Sequence, residues 1–205
     1  MVGGRCVGII GFLCGILLLG PIACEAVPAE YECLESSQSD SECLANLLQN
    51  GSFGSMQGWD ANRHAIGEIV STDPSGIGSA ASVEVTNFAW KGHSTNDGLF
   101  QCVSMRPDVQ YYLEVDSFIS SAQEFDPEAV LRVVAFDDAD CSGGRIGSRN
   151  GVAAGRFRDE WVHTAFRFQS PTGTSSARVY LRVVKGSHRR DAFAQFDNAL
   201  LAEEL

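Results

Sequence analysis

Between Tyr111 and Val183 the chain repeatedly sets an apolar side chain at every second position, a period that fits a half-buried β-strand rather than a helix. The last run is the clearest. Ala177, Val179, Leu181 and Val183 alternate with Arg178, Tyr180 and Arg182, so two arginines flank one aromatic ring on the side turned from the core. Near Gln110, the pattern predicts Tyr111, Leu113 and Val115 inward, with Tyr112, Glu114 and Asp116 outward. Leu131, Val133 and Ala135 repeat it around an outward Arg132, while Val134 and Phe136 imply that this outer side is partly covered. Further on, Val162, Thr164, Phe166 and Phe168 oppose Trp161, His163 and Arg167. Such runs, separated by Gly, Pro, Asn, Asp and Ser, predict an all-β sandwich over 46–205. That length suffices for a single domain with one well-buried core.

Upstream the composition changes twice. Residues 27–45 are polar and acidic, with Ser36, Ser37, Ser39 and Ser41 among Glu35, Asp40 and Glu42, and read as a linker. Residues 1–26 read as a secretory signal peptide: Arg5 supplies one positive charge, Cys6 to Leu19 runs apolar, and Pro21 precedes small residues. Cleavage after Ala26 would give a secreted chain, extracellular or periplasmic, starting at Val27. Two rival readings are a retained membrane anchor and a lipoprotein anchored through Cys24.

The formal net charge is -11, and losing residues 1–26 removes one charge of each sign, Arg5 and Glu25. An acidic chain repels phosphate backbones, so nucleic acid is excluded as an expected partner. The basic cluster Lys185, Arg189 and Arg190 lies in a Gly-Ser stretch and reads as a solvated hairpin tip. Four cysteines lie beyond the signal: Cys33, Cys43, Cys102 and Cys141. In an exported chain they imply two disulfides. Of the three pairings, Cys33–Cys43 with Cys102–Cys141 is the most economical, closing one loop in the linker and one in the domain. No C-x-x-C or histidine spacing suits zinc.

Several motifs carry a resemblance. Asn50-Gly51-Ser52-Phe53 followed by Gly58-Trp59 resembles the opening of carbohydrate-binding modules of the four-and-nine type, which have a galactose-binding-like jelly roll. Phe196-Asp197-Asn198-Ala199-Leu200 resembles their closing strand. Leu99-Phe100-Gln101-Cys102-Val103, then Pro107 and Tyr111-Tyr112, resembles the middle strand pair, and Phe136 to Gly143 is similar to a disulfide-bearing hairpin of secreted bacterial relatives. The resemblance implies a jelly-roll β-sandwich that binds glycan. It also implies a structural calcium ion between first and last strands, for which Asp197 is the matching ligand; Gly54 stands where the family usually has an acidic residue. Asp138 to Gly143 also spells the start of a calcium loop, but its twelfth position is Arg149, so an acidic, disulfide-pinned hairpin is the better reading.

Sugar binding needs a ring to stack on a pyranose and planar polar groups to bond its hydroxyls. Tyr112 and Tyr180 offer rings, while Glu114, Arg132, Arg178 and Arg182 offer acceptors and forked donors, and these are expected to share one face. Their bland alternative is a ladder of solvated cross-strand ion pairs. Trp59 is expected in the core, and Trp90 on the surface. The expected function is a non-catalytic, monomeric module binding a neutral or weakly charged polysaccharide across Tyr112, Glu114, Arg132, Tyr180 and Arg182. The alternative is a structural or adhesive β-sandwich without a sugar site. Catalysis finds little support: the four histidines are scattered, and only His163, Tyr180 and Arg182 imitate the Tyr, His and Arg set of some jelly-roll polysaccharide lyases.

Overall fold

A computed structural model describes residues 31–33, 43–72, 81–90, 96–123, 126–153, 157–186 and 190–204. Residues 1–26, read above as a signal peptide, and most of 27–45 lie outside them. Two short strands, β1 (Tyr31–Cys33) and β2 (Cys43–Ala45), pair antiparallel with Cys33 opposite Cys43. The side chains of these two cysteines, and so the expected Cys33–Cys43 bond, lie outside the described residues.

A separate compact unit begins at Asn46. Its strands are β3 (Asp60–Ala61), β4 (Ala65–Val70), β5 (Ser82–Asn87), β6 (Asn96–Ser104), β7 (Gln110–Phe118), β8 (Glu128–Phe136), β9 (Arg145–Val152), β10 (Trp161–Gln169), β11 (Ser176–Val184) and β12 (Ala192–Glu203). They form two five-stranded antiparallel sheets, ordered β10-β7-β12-β5-β4 and β3-β6-β11-β8-β9. From β5 to β8, and again from β9 to β12, each successive strand crosses to the other sheet. The result is a jelly-roll sandwich, and the described residues contain no helix.

The alternation explains why the two sheets meet. Tyr111, Leu113 and Val115 of β7, Val83 and Val85 of β5, and Ala194, Phe196 and Leu201 of β12 turn one apolar side inward. Opposite them lie Leu99 and Val103 of β6, Leu131 and Val133 of β8, and Ala177, Val179, Leu181 and Val183 of β11. Each large aliphatic side chain buried this way contributes about 1.5–3 kcal/mol. Phe53 and Trp59 close one end of the layer, their rings 5.3 Å apart, so Trp59 is a core residue as the sequence predicts.

The opening segment is tied to the closing strand by hydrogen bonds. Leu47 N donates to Leu201 O at 2.7 Å and Ala199 N to Gly51 O at 3.0 Å. Asn46 bridges the same two segments, its Nδ2 donating to Ala199 O while its Oδ1 accepts from Leu48 N and Leu201 N. Gly51 permits this approach, because a Cβ there would stand 2.0 Å from Ala199 O. Between Asp197 and Leu200 the pairing of β12 with β7 slips through a bulge, with Asn198 at φ 51°.

One expectation is corrected. Lys185 is not at a solvated tip: it is 3% exposed, and its Nζ donates to Asn87 O at 3.2 Å and Arg190 O at 2.9 Å. The run of charge concealed a long side chain that folds inward onto backbone carbonyls, and burial pulls its ammonium below the usual lysine range. Arg189 lies outside the described residues.

Two outcomes follow for stability. Gly51→Ala should lower the melting temperature strongly, because backbone must move to admit the methyl group; a thermal melt within 1 °C of wild type, on the order of a few tenths of a kcal/mol, would contradict the close approach. The Cys102–Cys141 disulfide, which spans 39 residues of sequence, should stabilise the domain by about 4 kcal/mol in the chain-entropy model. Denaturant unfolding of Cys102→Ser/Cys141→Ser tests this magnitude, and non-reducing peptide mapping tests the pairing.

Candidate functional site

The five residues expected on one surface occupy two. Tyr112 and Glu114 lie on β7, whereas Arg132 lies on β8 and Tyr180 and Arg182 on β11, in the other sheet. Both sheets bury their inner sides against each other, so their outer sides look in opposite directions. Alternation assigns each residue correctly to inside or outside its own strand. It does not say to which sheet the strand belongs, and here the chain changes sheet between β7 and β8.

On the outer face of β6, β11 and β8, the register sets Phe100, Tyr180 and Arg132 in one row. Arg182 lies opposite Gly98 and Val130, and its guanidinium sits 4.1 Å from the Tyr180 ring centre. Gly98 brings no side chain against Arg182; a Cβ there would reach 1.9 Å from Leu181 O. Arg178 lies over both Phe100 and Phe136, at 5.0 Å and 5.3 Å. Tyr180 is not the open ring expected: it is 7% exposed and packs with Val134, Phe136, Cys141 and Phe100 in a small outer cluster. The Cys102–Cys141 disulfide pins this cluster to β6.

The arginines of this face are held at an energetic disadvantage. Burial, and then the charge of Arg132, move Arg182 below the usual arginine range; burial, and then Arg145, do the same to Arg132. The Nε atoms of Arg132, Arg178 and Arg182 are buried and find no acceptor among the described residues. No carboxylate among those residues forms an ion pair with any of the three. Asp97, which the field of Arg182 includes, is engaged by His64 Nδ1 at 3.2 Å.

The opposite outer face carries a self-satisfied polar network. Tyr112 donates to Glu114 Oε2 at 2.5 Å; His163 stands between two carboxylates, Nδ1 3.0 Å from Asp116 Oδ1 and Nε2 3.5 Å from Glu114 Oε2. Asn198 Nδ2 donates to Asp116 Oδ2 at 2.8 Å, and Arg167, paired with Glu204, lies 5.4 Å over the Tyr112 ring. Asp116, His163, Arg167 and Asn198 were not among the predicted site residues. Only the β10–β7 register, which sets His163 opposite Asp116, reveals the grouping. Burial, then the bonded Glu114, pushes the Tyr112 hydroxyl well above its usual range, in keeping with its role as donor to Glu114. The imitation of a lyase set also dissolves, because His163 is on the sheet opposite Tyr180 and Arg182.

The remaining candidates separate clearly. Trp90 is 66% exposed, as the sequence predicts. In the acidic hairpin, Asp138 accepts from Ser142 N and Oγ, Asp140 from Ser142 N, and Asp137 from Gly144 N. These carboxylates organise their own turn, with Cys141 at φ 59°. Asp197 is buried beside the bulge, and its Oδ1 accepts from Asn198 N at 2.8 Å. Among the described residues no three His, Cys, Asp or Glu side chains converge as metal ligands, so calcium at Asp197 would draw most of its oxygens from backbone carbonyls.

No family model matches the sequence, and no curated protein matches it. Solved structures do match in fold. An arabinose-bound α-L-arabinofuranosidase superposes with a TM-score of 0.58 and 15% identity over 78% of this chain and 26% of that one. The enzymatically active domain of tailspike protein 4 from bacteriophage CBA120 gives 0.55 and 14%, over 78% of this chain and 21% of that one. This chain thus spans about a quarter or less of those two proteins. It matches the CBM22-1 xylan-binding domain of Paenibacillus barcinonensis Xyn10C at 0.51 and 14%, over 75% of this chain and 90% of that domain. At these identities the likeness establishes the jelly-roll β-sandwich that these proteins share with residues 46–205.

Proposed function

We propose that this chain is an exported, non-catalytic carbohydrate-binding module that holds a polysaccharide across the outer face of β6, β11 and β8. One observation carries the reading: two guanidinium groups, of Arg178 and Arg182, lie over aromatic rings on the outer side of the sheet, and among the described residues no carboxylate pairs with either. Sugar hydroxyls and ring faces match such a surface, since they need planar donors and flat apolar patches. The nearly complete coverage of a xylan-binding domain by the same fold supports the reading. Within this proposal Arg132, Tyr180 and Arg182 form the site, and Tyr112 and Glu114 belong to a separate surface. Export follows from the signal segment at 1–26.

Affinity electrophoresis through gels containing xylan, galactan and polygalacturonate tests the module reading. The wild-type protein should be retarded by at least one, and Tyr180→Ala should lose most of that retardation. Because Tyr180 walls the small outer cluster, this variant should also lose about 2 kcal/mol of stability, short of unfolding. Mobility unchanged by every polysaccharide would favour a scaffold without a sugar site. Calcium at Asp197 is a second proposal, tested by melting: an ion that binds only the folded state must raise the melting temperature in millimolar calcium relative to chelator. An unchanged melt would mean that the Asn46 and Gly51 hydrogen bonds join the strands unaided.

A further inference from the structure

The arginine face specifies more than a sugar. Resting on the binding reading above, we infer that its ligand is a carboxylate-bearing polysaccharide, a polyuronate, gripped by the guanidinium groups of Arg132, Arg178 and Arg182. In this chain Asp and Glu number 26 against 15 Lys and Arg, so carboxylates are plentiful. Other arginines take them: Arg106 pairs with Glu203, Arg158 with Asp126 and Arg167 with Glu204. The three on the outer face of β11 and β8 form no such pair among the described residues. Arg178 is instead stacked on Phe100 and Phe136 and Arg182 on Tyr180, which orients the planes of those two forks before any ligand arrives, while Arg132 stands across from Tyr180 in the register.

Two further points select a polymeric carboxylate. Arg178 and Arg182 are four residues apart on one strand, about 13 Å, and Arg132 is one strand away, about 4.8 Å. Arg182 reaches over Tyr180 toward Arg132, so a small anion could meet those two, whereas a chain with a carboxylate on successive sugars can also meet Arg178. Bidentate guanidinium–carboxylate bonds are also the strong, directional kind. The charge of a bound anion would offset the mutual repulsion that now disfavours the charges of Arg132 and Arg182. The net charge of -11 points the other way and underlies the expectation of a neutral ligand. Its reach is limited, because exposed charges beyond about 8–10 Å are largely screened at physiological ionic strength, while contact arginines are not. The carboxylates of Glu114 and Asp116 face away on the opposite sheet.

The test is affinity electrophoresis of the purified protein with polygalacturonate, neutral galactan and dextran sulfate, with a mobility shift on single-stranded DNA alongside. Polygalacturonate should bind at least tenfold more tightly than galactan. Arg132→Gln and Arg178→Gln should each weaken that binding about tenfold, and Arg132→Lys, which keeps the charge and loses the fork, should weaken it too. Arg106→Gln removes the same charge from a distant ion pair and should change nothing. Galactan binding without polygalacturonate binding would overturn the polyuronate inference and leave the module reading standing. Retardation by no polysaccharide would overturn both. Equal weakening by Arg106→Gln, dextran sulfate bound as tightly as polygalacturonate with no effect of Arg132→Lys, or comparable affinity for DNA would each overturn the inference by showing attraction to charge alone.

Discussion

The shared apolar layer between the two sheets is the constraint on which the rest of this molecule depends. Leu113, Val83 and Phe196 from one side and Leu99, Leu131 and Leu181 from the other are fully buried against each other. Every strand that contributes to the layer must turn its alternate side chains outward, and so each sheet acquires an outer face with no structural duty to the core. The two faces are resolved differently. One closes its polar groups on themselves through Tyr112, Glu114, Asp116, His163 and Asn198. The other carries Arg132, Arg178 and Arg182, which form no ion pair among the described residues, beside a second, smaller aromatic cluster.

That asymmetry is where fold gives way to function. A folding domain gains nothing evident from desolvating cations beside one another, and burial and like charge both weigh against Arg132 and Arg182. The disulfide to Cys141 and the ring stacking hold these side chains in place all the same. Groups fixed in an unfavourable charge state on an open sheet are characteristic of binding surfaces. The opening of the chain supplies the complementary requirement, rigidity, by locking Asn46 and Gly51 to Ala199 and Leu201 at the other end of the sequence.

Much of the fold was legible from period alone. Tyr111, Leu113 and Val115, Leu131 and Val133, and Ala177, Val179, Leu181 and Val183 all face the core as their alternation requires, and Val134 and Phe136 are covered on the outer side as their apolar character implied. Counting leaves three pairings of four cysteines, and the observed Cys102–Cys141 bond belongs to the one that loop economy favours. The site was legible only in part. Period cannot assign a strand to a sheet, so Tyr112 and Glu114 were grouped with residues that lie on the opposite face. Nor can it show that Arg182 would cover Tyr180, or that Lys185 would fold inward to reach Asn87, because both depend on neighbours far away in sequence.

The most direct test observes the arginine side chains themselves. Their Nε–Hε resonances report on each fork separately, and polygalacturonate can be titrated into isotope-labelled protein. The account predicts that the signals of Arg132, Arg178 and Arg182 shift together and saturate with one affinity, while those of Arg106 and Arg167 stay in place. Shifts confined to Arg167 and the His163 ring on the opposite sheet, or spread evenly over all arginines, would contradict it.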